Sequence, residues 1–528
     1  MTDIRTSGLG GIPKGTTANR SVVFPSPQIG DVYYNGEIEA LQIYNGTTWK
    51  VSKTEGFPPD SPTISGVTDS STSLAYSSTA GTLDVTFIPA GTGGTATQYN
   101  AYTTTGGHNG FTTVGNTVTI TGLTPGTAYT VYGNAQNGSG TSTNTSNAVP
   151  VTPTTLPQVP TIGTATASSS TSEATVTWTL GNSGGKSLTS ITITPYLNGT
   201  TPETPRTAET TSSTSYTFTT GQLTAGANYT FKVKATNANG TSNESAATNS
   251  VTIPVFVNFE TLIVAGGGGG GSTYHGGGGG GGGAKDITFT AQKGITYNVV
   301  VGSGGAGGTA NGDGRRGSQG GPSSIFGIST TGGGGGASYG ESLNGGNGGS
   351  GGGGSQGASG PNNGGTGISG EGNNGGSPTS SVSWMGGSGG GGKNSVGGNG
   401  SGNNNASGSI AGAGGNAFDW KSLGTFYAGG GSGSYGTGGT SASPGTNAGQ
   451  GSNAQGGDAV QNRGGGGGGS ERNHTSTIFY RGGNGGSGIV ILRTSGSYNA
   501  TSVTGSPQRS ESGGYTYYTF NGDGSITV

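Results

Sequence analysis

Few residues in this chain are equipped for chemistry, and their spacing excludes most of what they could do. The three histidines, His108, His275 and His474, are scattered, and none has a ligand partner at a metal-binding interval. Each reads as a loop residue rather than a metal ligand. There is no cysteine, which removes thiolate sites and disulfides. Two stretches imitate a phosphate loop, whose backbone amides cradle phosphate ahead of a Gly-Lys-Ser/Thr end. In 387–395, GSGGGGKNS, Asn394 occupies the hydroxyl position, and in 180–188, LGNSGGKSL, Leu180 stands where the first glycine must be. Asp286, Asp313, Asp419 and Asp458 are irregularly spaced, whereas a calcium roll repeats an aspartate in every nonapeptide. No carboxylate pair suited to glycoside cleavage stands out. The expectation is a chain with no catalytic residue, no cofactor and no metal.

Recognition is the chemistry left. Tyr274, His275, Tyr339, Trp384, Trp420, Tyr427 and Tyr435 interrupt a region written mostly in glycine, serine and asparagine. Tyrosine and tryptophan supply large rigid contact area at small entropic cost, and Ser, Asn and Gly supply adaptable hydrogen bonding. These seven are the candidate receptor-contacting residues. Stacking on sugar rings is the natural chemistry for Trp384, Trp420 and Tyr427. The competing role is to shield the ends of the glycine structure from water. Tyr339 and Tyr435, isolated among polar residues, suit contact better than Phe418 or Phe426.

The elements that must position them follow from composition. Glycine makes up 123 of 528 residues, apolar residues are 27% and charged residues 8%. An ordinary soluble domain carries about 25% charge. The formal net charge is −2 with no basic stripe, so nucleic acid is not an expected partner. No apolar run approaches the length of a membrane span. The N-terminal MTDIRTSGLGGIPKG has no apolar core typical of a secretory signal. A chain with an extracellular look and no such core is expected to leave its cell another way, of which release by lysis within a virus particle is one. At about 100–200 residues per domain, the length suggests roughly three to five domains.

The expected class is all-β. Residues 1–55 hold short alternating segments split by Asn35-Gly36 and Asn45-Gly46, strong hairpin signals because both residues tolerate positive φ. They read as a small meander burying Val32, Tyr34, Leu41, Ile43, Trp49 and Val51. Residues 56–153 and 154–254 repeat one another. LTPGTAYTVYGNAQNGSGTS at 123–142 matches LTAGANYTFKVKATNANGTS at 223–242, with Leu123, Tyr129 and their counterparts Leu223, Tyr229 in step. Alternation in short segments with Gly/Pro turns indicates two β-sandwiches. TPTTLPQVPTIG at 152–163 is a proline-stiffened joint. A glycine-rich region follows over 255–495, bracketed by FVNFETLIVAG and GSGIVILRTSG, and 496–528 closes with a hairpin signal around Asn521-Gly522. No segment has a helical period.

Glycine tracts suit flexible linkers, but a linker has no use for strands at both ends or for Trp384-Met385 and Phe426-Tyr427 between tracts. The alternative is a packed block of polyglycine II helices. These have three residues per turn and no internal hydrogen bonds, so every backbone group must be satisfied by a neighbour. Pure tracts such as 276–283 and 464–469 should be central, and diluted ones such as 397–405 peripheral.

The paired repeats resemble fibronectin type III domains. The resemblance implies that Tyr129 and Tyr229 form that family's tyrosine corner and that Trp178 is its strand-B tryptophan, a pattern from which Phe87 of the first domain departs. VNFETLIVAGGGGGG, GITYNVVVGSGGAGG and GGSGIVILR resemble the glycine-rich domain of phage tail proteins, similar in architecture to adhesins at fibre tips of T-even-type phages. IGDVYYNGEIEALQIYNGTTWK resembles a module of phage fibre proteins, particularly those of marine cyanophages. These resemblances imply a virion protein, most simply a tail fibre or adhesin that contacts the host surface through loops of its glycine domain. A capsid or tail decoration fibre is the alternative. The implied partners are other virion proteins through the N-terminal region and a host cell-surface glycan or outer-membrane protein. The oligomeric state is left open, a homotrimer being one option.

Overall fold

The computed structural model describes residues 14–28, 31–37, 40–44, 46–51, 57–145, 147–310, 315–340, 343–357, 360–382, 384–403, 405–436, 440–441, 443–472 and 478–528. His474 and Asp313 lie outside them. The chain forms two compact units, Met1–Ser168 with Ser172–Ile253, and Pro254–Val528 with Ser169–Thr171. Strand is the main regular secondary structure in both, as expected for the all-β class.

The N-terminal part of the first unit corrects two expectations. A short helix, Thr17–Val23, starts at Thr16, whose side chain accepts from the Asn19 N–H at 3.2 Å. Two turns are too few to write a helical period into the sequence. The strands Lys14–Gly15, Val32–Asn35, Ala40–Tyr44 and Trp49–Val51 form one sheet in that order. Its buried residues are Tyr33, Asn35 and Gln42 together with Phe24. Val32, Tyr34, Leu41 and Trp49 are half-buried and Ile43 is exposed, and the Val51 side chain is outside the described set. A one-residue error of phase flips a strand's faces. The face here is chosen by Phe24, which follows the helix and packs on Tyr33 and Trp49 with centroids 6.2 and 5.1 Å away.

Two sandwiches follow, each with its own core. In the first, the sheet Thr63–Asp69, Gly81–Ile88, Thr117–Leu123 faces a sheet built on Gln98–Thr103 and Tyr129–Asn137. Phe87 is fully buried between them with Leu83, Val85, Ile120 and Val131. In the second, Trp178 lies in the strand Ala174–Thr179 and packs with Phe218, Phe231 and Val233. The tyrosine pair behaves alike in both. Thr124 N–H donates to the Tyr129 hydroxyl at 3.0 Å, and Thr224 N–H to that of Tyr229 at 3.2 Å. The joint is clamped by hydrogen bonds. Asp69 Oδ2 accepts from both the N–H and the hydroxyl of Thr154 at 2.7 Å, and Leu156 N–H donates to Leu74 O at 3.0 Å.

In the second unit the central sheet has the order Ala284–Gln292, Phe256–Val264, Ile489–Ser495, Tyr515–Phe520, Gln508–Ser512. A smaller sheet joins Thr296–Val299, Gly524–Thr527 and Ser502–Thr504. Phe259, Ile263, Val490, Leu492, Phe520 and Ile526 belong to one core. Residues 496–528 are therefore paired into this unit rather than appended to it. The hairpin turn is at Gly513-Gly514, both with positive φ. Asn521-Gly522 instead carries the chain from one sheet to the other, because Tyr515–Phe520 and Gly524–Thr527 pair in different sheets.

The glycine tracts continue from the ends of these strands as buried rods. The tract 276–283 shows their order. Gly276, Gly279 and Gly282 donate to Ser470, Gly467 and Gly464. Gly277, Gly280 and Gly283 donate to Ala337, Gly334 and Thr331, and Gly278 and Gly281 to Ser388 and Gly391. Carbonyls of the same tract accept from Gly271, Gly268 and Ala265, from Ser434 and Gly431, and from Gly353 and Ser350. Donor partners change rod at every residue and return after three. That is the period of polyglycine II, a helix of three residues per turn with outward-pointing amides. Three neighbouring rods accept and three others donate, so the tract sits in a six-membered surround. Only glycine permits this approach. A Cβ on Gly268, Gly279 or Gly280 would fall closer than 3.0 Å to the backbone carbonyl group of an adjoining rod. Residues 276–283 and 464–470 are wholly buried, while Asn399 and Asn403 of the diluted tract are exposed.

Candidate functional site at the far end of the glycine lattice

The lattice has two ends. At one, the rods run into the central sheet: Gly283 leads to the strand starting at Ala284 and pairs with Thr331. At the other, rods turn back at 272–276, and the register brings Ser338, Ser434, Ser470 and Ser388 to the same level. These serines are buried and fasten the ends. Ser338 Oγ donates to Ser272 O at 2.7 Å, Ser470 Oγ to Tyr480 O at 2.9 Å, and Ser470 Oγ accepts from Thr273 N–H at 3.0 Å. Backbone groups left over where a lattice stops need such partners.

The turn Thr273-Tyr274-His275 is left-handed throughout, with φ of 46°, 46° and 59°. Each non-glycine residue in that region costs about 1–2 kcal/mol. Glu471 holds the turn. Its Oε2 accepts from the His275 N–H at 2.7 Å and lies 3.3 Å from Nδ1. Burial pushes the imidazole pKa down, but the Glu471 carboxylate and the Met385 carbonyl outweigh it, and the net shift is upward. Strain of this kind gathers at clamps and binding sites, where surrounding structure over-determines it.

The seven recognition candidates separate accordingly. Tyr274, Tyr339, Trp384 and Tyr435 come together at the far end, each half-buried. The Tyr274 and Tyr339 rings lie 5.5 Å apart. His275 is at this end too, edge-on to Trp384 at 6.2 Å, but it is 3% exposed. It is an internal anchor, not a contact residue. Trp420 and Tyr427 are at the opposite end, 1% and 6% exposed. They pack with Leu262, Val264, Ile489 and Ile491 on the sheet face away from the smaller sheet. Arg493 lies over the Trp420 ring at 5.3 Å. The reason is chain direction: Trp420 and Tyr427 precede a rod that starts at the sheet, whereas Tyr435 follows the same rod where it ends. Burial pushes the Tyr427 hydroxyl pKa up, as suits a core residue.

Two residues of the far end, Glu471 and Arg472, were not anticipated. Arg472 holds its guanidinium 5.0 Å from the Tyr274 ring and 5.2 Å from the Phe479 ring. The available signal was positional: Ser470-Glu471-Arg472 ends a pure tract just as Ser434-Tyr435 and Ser338-Tyr339 end theirs.

The phosphate-loop imitations acquire no function from the fold. Gly184-Gly185-Lys186 is a turn between two strands, and 387–391 is a rod of the lattice, so neither precedes the helix such a loop requires. Among the described residues there is no group of three or more His, Asp or Glu able to hold a metal. No described helix is long and apolar enough to cross a membrane.

Comparison with known families matches residues 241–495 to a glycine-rich domain and residues 158–251 to the fibronectin type III domain. No curated protein matches the chain. Among solved structures, the FN1–FN3 domains of chicken CNTN1 align at 20% identity, covering 40% of this chain and 76% of that one, with a TM-score of 0.22. Domains A168–A170 of titin align at 14% identity over 41% and 76%, also at 0.22. A fibronectin type III domain and a glycine-rich domain are thus both present in this chain, the pairing of a structural or adhesive protein.

Proposed function

We propose that this chain is a non-enzymatic phage virion protein, a tail fibre or adhesin whose glycine lattice presents a host-binding surface at its far end. The observation that carries the reading is the segregation of side chains along the rods. The interior is backbone broken only by small buried side chains such as Ser350 and Ser432, so the lattice cannot recognise anything through its body. Rigid aromatic groups are gathered where the rods turn back, on a scaffold tied in three directions by hydrogen bonds. Binding groups held on a rigid frame lose little entropy on contact. The likeness of the N-terminal and glycine-rich segments to phage fibre sequences supplies the virion context. The N-terminal region is assigned to attachment on other virion proteins and the sandwiches to spacing.

The test is adsorption. Virions lacking residues 255–528 should lose attachment to host cells, and the purified full chain should compete with intact virions for the cell surface. Undiminished adsorption by the truncated virions would refute the adhesin. Labelling that places the chain on the capsid would favour the decoration fibre instead.

A further inference from the structure

We infer that the far end of the lattice takes an acidic glycan, with the Arg472 guanidinium meeting its carboxylate or sulfate groups. The inference rests on the adhesin reading and adds the chemical class of the ligand. Arg463, Arg481, Arg493 and Arg509 of this unit each hold a protein acceptor: Asn462 O, Asp458, Glu260 and, for Arg509, Tyr498 O. The Arg472 guanidinium holds none among the described residues, and its Nε is buried with no acceptor. The neighbouring acid does not neutralise it. Glu471 is fully buried and turned inward, its Oε2 on His275 and its Oε1 accepting the Arg472 backbone N–H at 3.1 Å. The guanidinium rests instead against the rings of Tyr274 and Phe479. That contact fixes its orientation and strips water from it without meeting its hydrogen-bonding demand.

Guanidinium is planar, weakly hydrated and able to bind carboxylate, sulfate or phosphate with two parallel hydrogen bonds. A half-buried guanidinium without an acceptor among the described residues is therefore poised for an anion. The adjoining Tyr274–Tyr339 pair offers ring faces to the sugar that carries it. A neutral glycan would use the rings and leave the cation unanswered. The whole chain has a net charge of −2, so general attraction does not draw polyanions to it.

The experiment measures binding of the full chain to immobilised polygalacturonate, dextran sulfate and unmodified dextran. The acidic polymers should bind and dextran should not, with affinity falling as salt rises. Arg472→Met keeps the apolar stem against the rings and should weaken acidic binding by about tenfold to a hundredfold, the range of a charge-assisted hydrogen bond. Arg509→Gln makes the same charge change on an exposed edge strand and should leave binding unaltered. Equal binding to dextran, or equal losses in the two variants, would overturn the anion site. Host adsorption separates the two levels of the argument. If deletion of 255–528 abolishes adsorption but Arg472→Met leaves it intact, the acidic-glycan inference fails and the adhesin stands. If the deletion has no effect, both fail.

Discussion

Replacing Gly279 by alanine tests the lattice at its centre. Gly279 donates to Gly467 O at 2.8 Å and accepts from Gly431 N–H at 2.9 Å. An added Cβ would press on the carbonyl of Gly268 and on Gly269 O, which are backbone atoms with no rotamer to swing aside. The rod 265–271 cannot retreat freely, because Gly269 and Gly270 are bonded to Ser318 and Gly483 on its other sides. Separation would break Gly268 N–H to Gly280 O and Gly271 N–H to Gly277 O, both 2.8 Å. The two buried hydrogen bonds so lost cost about 1–3 kcal/mol each. Overpacking adds about 1–3 kcal/mol, and stiffening of the unfolded chain returns about 0.4–1 kcal/mol. The net is a loss of about 5 kcal/mol. For a unit of this size, roughly 2–4 °C per kcal/mol, the melting transition should fall by about 10–20 °C. Gly522→Ala is the matched control. Gly522 has open space around its Cα, and the change should stay within about 0.5 kcal/mol. Calorimetry of both variants, with amide exchange over 265–283, reads the difference. Equal melting of the two, or fast exchange of those amides in the parent chain, would refute a packed block of glycine rods.

Three further outcomes follow from the same geometry. The raised His275 pKa means that the folded state favours the protonated imidazole; this stability is complete below the ordinary value near 6.5 and is lost as pH rises through the raised one. The melting temperature of the glycine unit should therefore fall from pH 6 to pH 9, and His275→Gln should flatten that slope in calorimetric scans. Trp420→Ala should destabilise by about 3–5 kcal/mol as a core truncation, whereas Trp384→Ala should leave melting nearly unchanged and reduce adsorption; the opposite ranking would reverse the assignment of the two ends. Tyr229→Phe should cost about 2 kcal/mol and Tyr129→Phe about 1 kcal/mol in denaturant unfolding, because the Tyr229 hydroxyl also donates to Glu203 at 3.0 Å.

The corrections share a cause. Alternation identified strands in 1–55 but could not choose the buried face, because the helix that covers one side is too short to leave a period. Asn521-Gly522 has the composition of a hairpin turn, yet the strands before and after it pair in separate sheets. Trp384 and Trp420 have similar surroundings in sequence, so composition could not tell an exposed lattice end from a core. Aromatic composition does not point to Arg472, although the serine that ends its tract marks the place.

The amino-acid sequence alone settled the properties that are local or periodic. These are the all-β class, the two sandwiches with Tyr129, Tyr229 and Trp178, and the tracts whose missing Cβ atoms let backbones meet. Tertiary structure decided which rod adjoins which, and hence which end each loop occupies. A rod three residues per turn looks the same from every side, so its neighbours are chosen by registers spanning as much as two hundred residues. No short stretch of sequence carries that information.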